Sequence, residues 1–154
     1  MPRDNRLSRS LHVLIHLDRH VKRATSDTIA KMLDTNPVVV RRMMSGLREK
    51  GYVVSEKGHG GGWELRAALS DISLLDVYQA IGSPALFSIG PAAESSPCLV
   101  EHAVDARLDE ALNEAEAMLL KRFSQITVAD ISDDYLAKMK KLGLPSDTFP
   151  DCSE

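Results

Sequence analysis

Cysteine is scarce in this 154-residue chain: there are two, Cys98 and Cys152, far apart in sequence. Two thiols cannot close a structural zinc site alone, and they argue against a disulfide framework. Long apolar runs are also missing. The stretch from Pro37 to Val40 is among the longest, far too short to cross a membrane. The N-terminus, Met-Pro-Arg-Asp-Asn-Arg, leads into no apolar signal region, so the chain reads as cytoplasmic with no membrane partner. A Gly-Lys-Ser or Gly-Lys-Thr ending is absent too, which excludes a phosphate-binding P-loop from the glycine-rich stretch "EKGHGGGWEL" at residues 56–65.

What is present is an uneven charge. Residues 1–66 hold 13 Lys/Arg against 7 Asp/Glu, and residues 67–154 hold 6 against 15. The basic front suits a polyanion, and the acidic back would be repelled by one.

Apolar spacing predicts a helix over residues 6–21, carrying Leu7, Leu11, Leu14, Ile15 and Leu17. Thr25 or Ser26 can cap a second helix with Ile29, Ala30, Met32 and Leu33. Asn36-Pro37 is a strong start signal for a third, a capping side chain followed by proline in the first turn. That helix runs to Gly51, with Val40, Met43, Met44 and Leu47 as core. Two short strands, residues 52–55 and 63–66, flank the glycine run as a hairpin. A helix is expected over 70–82, capped by Ser70 or Asp71. Residues 83–96 form a linker. A long helix over 97–123 has apolar residues mostly three or four apart and acids elsewhere. A body of this size cannot cover such a stripe, so it predicts a partner helix from a second copy. A short helix from Thr127 and another over 133–142 are expected, then a loose tail over 145–154.

The fold class is therefore mainly α with a small β-hairpin. A winged helix-turn-helix domain occupies 1–82, and a dimerisation helix with C-terminal helices occupies 97–144. In such a domain the third helix enters the DNA major groove. Asn36, Val38, Val39, Arg41, Arg42 and Ser45 lie in its leading turns. Adjacent arginines point about 100° apart, so one can reach guanine edges while the other pairs a phosphate. The valines can touch thymine methyls. Lys57, His59, Gly60 and Gly61 would form a wing along a phosphate ridge, glycine letting backbone amides approach. Trp63 reads as a packing anchor.

"TSDTIAKMLDTNPVVVRRMMSGLREKGYV", "GHGGGWELR" and "ISLLDVYQAIG" together resemble the bacterial winged-helix repressor family of IscR, NsrR and CymR, the Rrf-two family. "DEALNEAEAMLLKRFSQITVADI" resembles its dimer helix. The resemblance implies a homodimer on a palindromic double-stranded operator, with base contacts from Asn36, Val38, Val39, Arg41 and Arg42 and wing contacts from Lys57 and His59. It is nearest the cluster-free branch. Iron–sulfur members place three cysteines between linker and long helix, where this chain has Cys98 alone. Three-cysteine ligation is absent and no cofactor is assigned.

Cys98 follows Pro97 at the expected start of the long helix, where unpaired amides favour thiolate and Glu101 opposes it. It is a candidate redox switch, with His102 four residues on. His12, His16 and His20 form a stripe that can hold a metal, but Arg9, Arg19 and Lys22 flank it, so it reads as a polar edge. The linker and last helix offer room for an unnamed small-molecule effector. A redox or metal-handling enzyme using Cys98 and the histidines is the rival expectation, but no acid, base or cofactor constellation accompanies them. A docking module that kept the winged fold without binding DNA is another.

Overall fold

A computed structural model describes residues 4–19, 21–91 and 97–145. Their order is α1 (Arg6–Arg19), α2 (Ser26–Met32), α3 (Pro37–Glu49), β1 (Val53–Glu56), β2 (Gly62–Leu65), a 3₁₀ turn (Leu69–Asp71), α4 (Leu74–Ala80), α5 (Leu99–Ser124) and α6 (Val128–Lys141). This is the mainly α, winged helix-turn-helix architecture expected. The strands pair antiparallel, with Val53 opposite Leu65 and Ser55 opposite Trp63. Each strand lies one residue from its expected limits.

Local chemistry sets the helix ends. The Thr25 hydroxyl accepts from the Thr28 amide and starts α2. Asp34 adopts a left-handed conformation in the turn that follows, a role aspartate tolerates. The Asn36 side-chain oxygen then accepts from the Val38 amide at 2.8 Å, with Pro37 opening α3. The inward faces meet in one core: Val13, Leu14 and Leu17 of α1, Ile29 of α2, and Val40, Met44 and Leu47 of α3. Each fully buried aliphatic contributes about 1.5–3 kcal/mol.

Three boundaries differ from expectation. The helix expected from Ser70 begins only at Leu74, because Ile72 is extended and its carbonyl accepts from the Val128 amide at 2.8 Å. Leu74 N–H donates to the Ile126 carbonyl, so residues 72–74 pair with 126–128 before α4 starts. The cap is Ser73, in a reciprocal box with Asp76. The long helix begins at Leu99, with Cys98 as its N-cap. The two short C-terminal helices are one. Thr127 and Asp130 form a second capping box, and the buried Ser132 hydroxyl accepts from Arg19 Nε at 3.0 Å, so it does not compete for its own backbone. Through this bond and buried Val128, α6 packs onto the N-terminal core. Residues 92–96 and residues 146–154 of the expected tail, with Cys152, lie outside the described residues, as does His20.

α5 behaves differently. None of its 26 residues is buried, and Leu99, Val100, Val104 and Met118 stand 81%, 72%, 58% and 74% exposed. Its packing is on α4, with Phe123 edge-on to Tyr78 at 6.1 Å between ring centroids.

Gly46 lets α3 and α4 touch. A Cβ there would lie 2.0 Å from the Ala80 carbonyl oxygen. Alanine gains about 1 kcal/mol of helix propensity. Against rigid backbone the clash costs about 3 kcal/mol, the upper end for overpacking. Gly46→Ala should lose about 2 kcal/mol net, seen as a lower urea midpoint with unchanged slope.

Candidate nucleic-acid interface

The third helix is sharply two-sided. Val40, Met43, Met44 and Leu47 are buried, while Val38 and Val39 are 58% and 38% exposed and Arg41 and Arg42 lie open beside them. Two adjacent valines thus stay exposed on a helix whose other aliphatic side chains are buried. Ser45 is half-buried. Asn36 is exposed, but its oxygen is committed to the amides of Val38 and Val39, so it offers only its amide nitrogen outward.

Arg42 lines a shallow groove of about 350 Å³ with Val39, Met43, Ala80, Ile81 and Arg6. Arg6 is held there by Asp4 at 2.6 Å, and the pair moves Asp4 down and Arg6 up from their ordinary values. Sequence reasoning missed Arg6, which lies remote from the third helix along the chain.

In the wing, Lys57, His59 and Gly60 are exposed and Gly61 is half-buried. Gly62 has φ +145°, and a Cβ there would sit 2.7 Å from the Ala24 carbonyl oxygen. That approach is real pairing: Ala24 and Trp63 exchange both backbone hydrogen bonds, at 3.0 and 2.7 Å. Trp63 is buried, donates from Nε1 to Ser26 Oγ at 2.9 Å, and carries the Arg48 guanidinium 5.8 Å from its ring centroid. It is a packing anchor. Arg48 Nη1 also donates to Ser55 Oγ, linking the end of α3 to β1. The α1–α2 turn adds Arg23, whose guanidinium reaches Glu56, Glu64 and the Gly60 carbonyl. This too was missed. A lone arginine before a break gives no signal of its strand partner, although the bulk-free Gly62 hints that something sits close.

Cys98 is exposed at the N-terminus of α5. The backbone amide of Glu101, then that of Val100, pulls its thiol below the ordinary value, outweighing the burial that opposes them. His102 is exposed on the next turn, its amide donating to the Cys98 carbonyl at 3.1 Å. On α1, the Nε2 atoms of His12 and His16 lie 2.7 Å apart, with His16 buried. Among the described residues no group of three or more His, Cys, Asp or Glu could hold a metal ion. No described helix is long and apolar enough to cross a membrane.

A core-packed third helix with exposed arginines, followed by a hairpin, defines a winged helix-turn-helix transcription regulator. The family model for Rrf2, described as iron-dependent transcriptional regulator, matches residues 3–134, and the chain belongs to that family. YwnA of Bacillus subtilis (strain 168), named as an HTH-type transcriptional regulator, is 30% identical over 83% of this chain and 95% of its own. The crystal structure of a Lactobacillus plantarum protein described as a transcriptional regulator superposes with a TM-score of 0.72 at 27% identity, covering 90% of this chain and 95% of that one. T. potens IscR shares the fold, with a TM-score of 0.59 at 16% identity over 88% of each chain. The family description names iron, but a three-cysteine cluster does not fit: the chain has two cysteines, and only Cys98 is among the described residues.

Burial holds the His12 imidazole below its ordinary value. As pH falls, the unfolded chain therefore takes up this proton first. The stability His12 confers is complete above about pH 6.5 and is lost below it, through the lower folded-state value. The urea midpoint should drop between about pH 7 and pH 5, and His12→Gln should flatten that drop. An unchanged profile in the variant would remove His12 as the cause.

Proposed function

We propose that two copies of the chain pair through α5 and bind a palindromic operator, each presenting α3 to one half-site, and that bound protein represses transcription until a redox or small-molecule signal releases it. One observation carries this reading: Val38, Val39, Arg41 and Arg42 stand exposed on the leading turns of a helix whose opposite face is core. Arg41 and Arg42 supply the forked donors that suit guanine edges and phosphates, and the valines suit thymine methyls. Lys57, His59 and the amides around Gly60 and Gly61 follow the phosphate ridge. Asn36 contributes its amide nitrogen and Ser45 its hydroxyl. The pairing follows from α5, whose Leu99, Val100, Val104 and Met118 face water in a single chain. The protein works without a three-cysteine iron–sulfur cluster.

The test is a mobility shift on the duplex upstream of the protein's own coding region, in a salt series, with an unrelated duplex as control. Binding should favour the upstream duplex and weaken steeply with salt. Arg41→Ala should cost about 1–3 kcal/mol of discrimination, whereas Lys57→Ala should weaken both duplexes alike and lower the salt slope by about 1. Sedimentation should give a dimer, shifted toward monomer by Val104→Asp. Equal affinity for both duplexes would end the regulator reading.

Cys98 is the candidate sensor, with His102 beside it on the helix. Its exposure and lowered thiol favour thiolate, the form oxidants attack. Hydrogen peroxide, which oxidises a single thiolate to sulfenic acid and is itself reduced to hydroxide, should release the wild-type protein from the upstream duplex and leave Cys98→Ser bound. Equal release of both would exclude Cys98.

A further inference from the structure

We propose that Arg23 is the positioning residue of the wing: from the α1–α2 turn it holds the loop at residues 57–61 and neutralises Glu56 and Glu64, so that Lys57 and His59 meet a phosphate backbone unopposed. This rests on the reading that the wing approaches DNA. Three contacts converge on one guanidinium. Nη1 lies 2.9 Å from Glu56 Oε2 and donates to the Gly60 carbonyl at 3.1 Å, while Nη2 lies 2.8 Å from Glu64 Oε2. One acceptor sits at the end of β1, one in the loop and one in β2. A planar fork spans such a set, whereas an ammonium is a point charge.

The position is built rather than fortuitous. Ala24, the next residue, pairs with Trp63 in both directions, which fixes the Arg23 backbone beside β2. Gly62 leaves the space this pairing needs. The hydrogen bond from Arg23 draws Glu64 below the usual carboxylate range, so Glu64 stays ionised and bound. Solvent-exposed ion pairs add little to folding stability, so loss of Arg23 should fall on binding and not on the fold. Without it, two carboxylates flank the wing loop. Phosphates within about 10 Å would feel them at roughly 0.1 M salt.

The experiment uses the full chain and a fluorescein-labelled duplex from upstream of its coding region, read by anisotropy across a salt series. Arg23→Gln should raise Kd about tenfold near 0.1 M salt, where screening still leaves the carboxylates felt. Adding Glu56→Gln and Glu64→Gln should return Kd to within about threefold of wild type, since the repulsion is then gone. Wild-type affinity in Arg23→Gln would overturn the proposal. So would a triple variant as weak as the single one with a salt slope lower by about 0.9, because Arg23 would then touch phosphate itself. Hydrogen exchange over residues 56–64 gives a reading independent of DNA. Exchange should quicken in Arg23→Gln, and unchanged exchange overturns the positioning role. If wild-type protein prefers no duplex while exchange quickens, the regulator reading fails and the loop-holding role stands.

Discussion

At Gly46 the third helix runs so near the Ala80 carbonyl that no side chain fits between them. This contact sets the rotation of α3. Turning the helix by one residue, about 100°, would drive Leu47 or Ser45 into backbone. With the rotation fixed, Val40, Met43, Met44 and Leu47 must point inward, and Val38, Val39, Arg41 and Arg42 must point away. The Asn36 cap fixes where the helix begins, so the exposed set falls in its leading turns. Surface chemistry is thus dictated by packing on the opposite side.

Much of this was legible in the sequence, for identifiable reasons. Asn-Pro at 36–37 is a start signal whose physics is local, and α3 begins where it says. Apolar periodicity separated the core residues of α3 from the outward arginines, because burial repeats with the helix. Chemistry set by distant strands was not legible. The start of α4 moved to Leu74 because Ile72 pairs with Val128, which local propensity cannot foresee. The two C-terminal helices became one because Arg19 takes up the Ser132 hydroxyl from far away in the chain. Arg6 and Arg23 escaped notice for the same reason: each acts on a segment remote in sequence.

The start of α5 shows how backbone amides act on a side chain at a helix N-terminus. The open amides were expected to favour the Cys98 thiolate against the Glu101 carboxylate, and the amides of Glu101 and then Val100 do lower the thiol. An N-cap cysteine meets the open amides of its helix before it meets any carboxylate further along. The family's description names iron, and with two cysteines the chain does not supply three-cysteine ligation.

The end of α5 near Phe123 is gripped on two sides, by Tyr78 and by the strand-like pairing of residues 72–74 with 126–128. From that grip the helix extends about 39 Å at 1.5 Å per residue. It is a lever with a fixed fulcrum. A tilt of about 10° at the grip would sweep the far tip through about 7 Å, from that length. Modest strain at the tip, where Cys98 sits, would thus return to the body as torque on the α4 packing that orients α3.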